Sequence, residues 1–232
     1  MTPLRGCFVT GTDTGVGKTV LAAALCAAIR AAGERVAAFK PVVTGVDEPG
    51  DGDWPADHEL LASVTGAAPG DVCVRTFGPA VAPHLAAALA GEAAVSIDEC
   101  VAGARRAAAG ADVLVVEGVG GLLVPLSDDA SVRDLAVALG LPLVIAARPG
   151  LGTINHSLLT IESARADGLH VRAVVLTPWP EQPSAMWRSN RDTIARLGEV
   201  EVAMLPEVAC SAVQLARAGG ELAWRAWLGD CA

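Results

Sequence analysis

The chain has 232 residues, 52% of them hydrophobic and 3% aromatic with no tyrosine, and a formal net charge of −9. So much apolar material argues against disorder, and the acidic balance, with a pI near 4.9, argues against a general nucleic-acid or anionic-membrane surface, because no positive field would gather phosphates over a broad face. Alanine, valine and leucine dominate, a mix that suits helices packed on an aliphatic sheet.

In chain order, short apolar runs alternate with longer alanine-rich stretches. Strands are expected at 6–11, 35–40, 72–77, 112–118, 141–147, 171–176 and 200–205, and helices at 18–32, 57–65, 82–90, 97–110, 131–139, 153–167, 187–197 and 211–228. Strands that read as apolar on both faces, separated by helices, predict an α/β fold: a P-loop NTPase-like parallel sheet of about seven strands, helices on both faces, and one domain over 1–232 without a dividing linker. The six cysteines, Cys7, Cys26, Cys73, Cys100, Cys210 and Cys231, show no C-x-x-C spacing and read as buried thiols rather than disulfides or zinc ligands. Met1 runs into "CFVTG" with no basic-then-apolar leader, and no apolar run reaches the ~18 residues that span a bilayer; the expected location is the cytoplasm.

In an open parallel sheet the ligand lies beyond the carboxyl ends of the strands, so the segments to inspect are Thr10–Lys18, Lys40–Thr44, Glu117–Gly121, Arg148–Asn155, Thr177–Pro180 and Leu205–Glu207. The first contains "GTDTGVGKT", a phosphate loop one residue longer than the G-x-x-x-x-G-K-[ST] pattern, since Thr12 stands where that pattern has glycine. Its parts remain: Gly15 and Gly17 to bend the backbone around a phosphate, Lys18 to reach the terminal phosphates, and Thr19 to ligate magnesium. Glu117, closing the strand "DVLVVEG", stands where P-loop proteins place a magnesium-linked acid, with capping as the plain alternative. Lys40 ends the second strand, which Pro41 is expected to break; it would face the γ-phosphate from the side opposite the magnesium and hold an anionic intermediate. Asp57 reads either as the N-cap of its helix or as a magnesium ligand, and His58 as exposed. Thr153, Asn155, His156 and His84 admit capping or packing as readily as function.

The motifs "GTDTGVGKT", "KPVVTG", "VEGVGGLLVPL" and "LGTINH", in this order and spacing over roughly residues 6–206, resemble those of dethiobiotin synthetases, the ATP-dependent carboxylases of biotin biosynthesis. The resemblance implies ring closure of 7,8-diaminononanoate with carbon dioxide and MgATP to dethiobiotin, ADP and phosphate, through a carbamate and a carbamic-phosphoric mixed anhydride. It implies that Gly15, Val16, Gly17, Lys18, Thr19 and Val20 cradle the triphosphate, that Lys18 and Lys40 are catalytic, and that Thr19, Asp57 and Glu117 form the magnesium shell. Thr14, Thr44 and Asn155 then contact substrate, Gly118, Val119 and Gly120 lie by ATP and substrate, and Asn155 does so across the two-fold interface of a homodimer. Neither nucleic acid nor membrane is implied as a partner.

Two departures stand out. Where some members carry an Asn-Asp pair that reads adenine, this chain has Thr177 and Pro178, which lack the amide's paired donor and acceptor, so other nucleoside triphosphates are expected to serve; Leu205, Pro206 and Glu207 match a second base-proximal segment. Gly15 replaces a glutamate found in some relatives, so that side chain is not required. A partitioning-type P-loop switch would carry a signature lysine at the place of Asp13, and an amide ligase of the cobyric acid type would need room for a glutaminase domain; both fit less well.

Overall fold

The structure, a computed structural model, describes residues 5–48 and 54–230. Cys231 lies outside them. The elements run β1 (Arg5–Gly11), α1 (Lys18–Ala31), β2 (Val36–Thr44), α2 (Asp57–Thr65), α3 (Pro69–Val72), β3 (Cys73–Phe77), α4 (Pro83–Ala90), α5 (Ile97–Ala107), β4 (Val113–Gly121), α6 (Val132–Leu139), β5 (Leu143–Ala147), α7 (Thr153–Ala166), β6 (Val171–Trp179), α8 (Ala185–Gly198), β7 (Glu201–Pro206), α9 (Ala212–Gly220), α10 (Trp224–Trp227) and β8 (Gly229–Asp230).

Seven parallel strands form one sheet in the order β3-β2-β4-β1-β5-β6-β7, and the two-residue β8 pairs antiparallel with Arg5 and Gly6 below the point where β5 begins. Strand side chains alternate between faces, and here both faces are covered. Cys7, Val9, Val113, Val115, Val144 and Ala146 pack under α1, α2 and α9. Phe8, Leu114, Val116 and Leu143 point the other way, against α4, α5 and α6, and Ile145, Val174 and Leu176 meet α7 and α8 on that same side. The chain leaves β1 toward β2 on one side and later crosses to β5 on the other, which makes β1 the topological switch and opens a crevice at its carboxyl end.

Some expectations are corrected. Pro41 does not end β2: the ladder to β4 stops at Phe39, and from Lys40 to Thr44 the strand pairs with β3 alone, so one edge no longer needs an N–H that proline lacks. The helix expected over 211–228 divides at Gly220, and α10 packs Trp224 and Trp227 into the core, with the Trp227 indole N–H donating to Glu201 at 3.0 Å. These tryptophans are packing residues. The short α3 and β8 were not expected, and α5 stops at Ala107, three residues early. Cys7, Cys26, Cys73 and Cys100 are buried free thiols, whereas Cys210 is a free thiol on an exposed loop.

Helices α1 and α9 meet at Gly219, where an added methyl would drive into the Ala24 carbonyl. Alanine gains roughly 1 kcal/mol of helix propensity over glycine, but a clash with backbone cannot be relieved by a rotamer change and typically costs about 1–3 kcal/mol. Gly219→Ala should therefore lower the urea midpoint; an equal or higher midpoint would show that α1 and α9 do not pack this closely.

Candidate active site

Between β1 and α1 the loop is held by the side chain of Val16, 1% exposed, and by two glycines in the left-handed region, Gly15 at φ 70 and Gly17 at φ 88. A Cβ on Gly17 would lie 2.8 Å from the Thr177 methyl, so the end of β6 forms a floor that admits only glycine there. No side chain caps α1 and no acid lies in its first turn, leaving its N–H groups and positive end directed at the loop. Lys18, 7% exposed, curls back to donate from Nζ to the Asp13 carbonyl at 2.9 Å. The Asp13 carboxylate accepts from the Thr14 backbone N–H at 2.7 Å and pairs with Arg148 at 2.9 Å.

The central cluster follows from strand register. Phe39 lies opposite Val116, so the next residues, Lys40 and Glu117, emerge side by side on the α1 and α2 face of the sheet. Lys40 Nζ lies 2.5 Å from Glu117 Oε1 and 2.7 Å from Asp57 Oδ2. Thr19 donates its hydroxyl within 2.9 Å of both Asp57 Oδ1 and Glu117 Oε1. Four groups from β2, β4, α1 and α2 thus converge beside the phosphate loop. The sequence reading set Lys40 on the side of the γ-phosphate opposite the magnesium; in the structure its ammonium touches both carboxylates, because β2 and β4 are neighbours. Asp57 is not the N-cap, a position held by Ala56; it is the first residue of α2 and turns toward Lys40. His58 is half-buried with Nδ1 shielded, not exposed.

Lys40 and Glu117 are 2% and 0% exposed, and burial disfavours the charge of each. For Lys40 burial acts downward, but Glu117 and Asp57 together outweigh it and hold the ammonium above its ordinary range. Burial raises Glu117, opposed by Lys40, while at Asp57 the lysine wins and the carboxyl is lowered. Burial lowers Lys18.

The donor set suits a hard cation. Thr19, Asp57 and Glu117 offer only oxygen, and Glu117 Oε2 is buried with no protein partner. Two carboxylates and a hydroxyl are a set of the kind magnesium takes from a protein, its shell being completed by phosphate and water.

Thr44 ends β2, and the turn after it is clamped to the β3 end: Gly45 N donates to Phe77 O at 3.0 Å and to Pro79 O at 3.1 Å. Gly118 is buried between Phe8 and Val132, while Gly120 approaches Thr14 with Val119 half-buried beside it. Val20 packs on the core below the loop. Thr177 is buried and Pro178 exposed at the end of β6, joined by a cis peptide bond. Pro206 and Glu207 are exposed, but the Leu205 side chain is wholly in the core, so only its backbone is available to a ligand. Thr153 is buried, and Asn155 and His156 are exposed at the start of α7, which has no side-chain cap. A buried polar residue that sequence patterns did not single out is Asn190 of α8.

Lys40→Met removes the nearest cation opposing burial at Glu117 and leaves only the weaker effect of Lys18, while Asp57 loses the main partner that lowers it. A carboxyl whose folded value is raised contributes stability that is lost as pH rises through that value. The variant should therefore lie nearest the parent in urea midpoint at about pH 5 and fall further behind by about pH 8. A gap that does not widen with pH would contradict the buried charge pair.

A family model described as an AAA domain matches residues 5–209. The ATP-dependent dethiobiotin synthetase BioD of Anaeromyxobacter sp. (strain Fw109-5) is 44% identical over 209 residues, covering 85% of this chain and 91% of that protein. The protein of the same name from Mycobacterium sp. (strain KMS) is 44% identical over 200 residues, covering 84% and 85%. Among solved structures, the signal recognition particle receptor FtsY from Elizabethkingia anophelis aligns with a TM-score of 0.51 at 13% identity, over 95% of this chain and 66% of that one; this likeness concerns the fold alone. With identity of this extent over most of both sequences, the chain belongs to the family of ATP-dependent dethiobiotin synthetases and is a ligase of that class.

Proposed function

We propose that this protein closes the ureido ring of dethiobiotin from 7,8-diaminononanoate, carbon dioxide and ATP, as a single-domain, cytoplasmic homodimer. The observation that carries the reading is the convergence of Lys40, Glu117, Asp57 and Thr19 at the mouth of the phosphate loop in a chain of this family. Free thiols spread over the chain agree with a reducing compartment. Asn155 and Leu159, four residues apart on α7 and exposed, the leucine 56%, with Leu151, 94% exposed, in the turn before the helix, offer surface suited to a second subunit that reaches the distal end of the substrate.

In the proposed reaction a substrate amine attacks carbon dioxide, forming a C–N bond and losing a proton to give a carbamate. A carbamate oxygen attacks the γ-phosphorus, the bond to the bridging oxygen breaks, and ADP leaves. The second amine then attacks the carbonyl carbon, and phosphate departs as the ring closes. Each step builds or moves negative charge, so positioned cations matter more than a strong base. Lys40, held protonated by two carboxylates, is suited to stabilise the carbamate and anhydride oxygens and unsuited to accept a proton. Lys18 would exchange the Asp13 carbonyl for the transferring phosphoryl group, while backbone N–H groups of Gly15–Val20 hold the triphosphate. Thr14, Thr44 and the Gly118–Gly120 loop would contact substrate. Thr19, Asp57 and Glu117 would hold magnesium, which, when bound, neutralises charge on the β- and γ-phosphates. Asp13, engaged by Arg148, occupies the place of the partitioning ATPases' signature lysine, a further point against a regulatory switch.

With MgATP and bicarbonate, phosphate release should depend on added 7,8-diamine, and Lys40→Met should lower kcat by about 10²–10³-fold with nucleotide binding retained. Rapid diamine-independent hydrolysis, or near-normal turnover of the variant, would contradict the reading. Because Thr177 and Pro178 present no paired amide to the base, other nucleoside triphosphates should compete with ATP within about tenfold, and strict ATP selectivity in a competition assay would assign base reading elsewhere.

A further inference from the structure

The loop that joins β5 to α7, residues 148–152, is held from two sides. On one side Arg148 pairs with Asp13 of the phosphate loop at 2.9 Å; both side chains are more than half exposed, so solvent screens this contact and it contributes little rigidity. On the other side Asn190 reaches over from α8. It is 7% exposed, and its Nδ2 donates to Pro149 O at 3.0 Å and to Gly150 O at 3.3 Å. The other buried positions of α8 are Ile194 and Gly198, so an apolar side chain would have served packing at this point. An amide there carries a desolvation cost, and what offsets it is its donation to the Pro149 carbonyl and to the Gly150 carbonyl, which also accepts the N–H of Thr153, the first residue of α7, at 3.3 Å.

That loop runs directly into Gly152, at φ 91, and then into the first turn of α7, with Asn155 three residues on. The α7 start has no side-chain cap of its own, so its position depends on how the preceding residues are held. We propose that Asn190 is a positioning residue for the diamine: by fixing the Pro149 and Gly150 carbonyls it sets the α7 start and the place from which Asn155 meets the distal end of the substrate. The inference rests on the reading of Asn155 given above.

The test is steady-state kinetics of Asn190→Ala and Asn190→Asp, with diamine varied at saturating MgATP and nucleotide varied at saturating diamine. The KM for 7,8-diaminononanoate should rise about tenfold, while kcat and the nucleotide KM stay within about twofold of the parent. Asp should do no better than Ala, since its carboxylate turns oxygens toward two carbonyls; should it fail to fold, the Ala variant carries the test. An unchanged diamine KM in a variant with parental circular dichroism and thermal midpoint overturns the inference, as does an equal rise in the nucleotide KM. Asn155→Ala separates the two readings. If it raises the diamine KM and the Asn190 variants do not, only this inference falls; if it leaves the KM unchanged, the reading of Asn155 falls and this inference with it.

Discussion

A carboxylate with no exposed surface in the middle of a central strand, just past the point where its ladder to β2 ends, is the constraint on which this site depends. Taking an ionised group out of water costs several kcal/mol even after relaxation, and the cost is met only by a close, well-hydrogen-bonded partner. Glu117 finds that partner in Lys40 at 2.5 Å because the two emerge together from adjacent parallel strands. Asp57 and Thr19 then complete a small ionic network, and the helices that carry them must sit on that face. A well-packed apolar pair would match such a network in stability, so its place at the crevice is best understood through chemistry on phosphate.

The same geometry separates the tasks of the crevice. On the α1 and α2 face, oxygens and ammonium groups gather where charge would move in the proposed phosphoryl transfer. The end of β6 forms the floor of the phosphate loop, where Thr177 packs against Gly17. Thr177 carries one hydroxyl and Pro178 has no N–H, so the end of β6 offers few hydrogen-bonding groups. The β5–α7 loop is tied to both neighbourhoods, by Arg148 to the phosphate loop and by Asn190 to α8.

Where expectation and structure differ, the cause is a neighbour that local pattern does not show. Pro41 reads as a breaker until its strand is seen to have lost one ladder partner at Phe39. Asp57 reads as a cap until Lys40 is found 2.7 Å away. Leu205 reads as part of a base-proximal segment until strand alternation is seen to turn its side chain into the core. Asn190 escaped notice because one asparagine in an amphipathic helix has no motif; only its burial and its two carbonyl partners mark it.

By itself the sequence determined the seven parallel strands and the main helices in their order, though not α3, β8 or the break between α9 and α10, together with the phosphate loop and the family. Two-residue alternation, alanine-rich helical runs and contiguous motifs are local properties, written along the chain. Tertiary structure decided which elements adjoin, and with that the side of the site on which Lys40 lies, the direction in which Asp57 turns and the floor that restricts Gly17 to glycine. These are matters of strand order and register, and they bring together residues 98 positions apart in Thr19 and Glu117 and 135 apart in Asp13 and Arg148. No local pattern can carry such distances, because they are set only when helices on both faces bury the sheet and fix each strand against its neighbours.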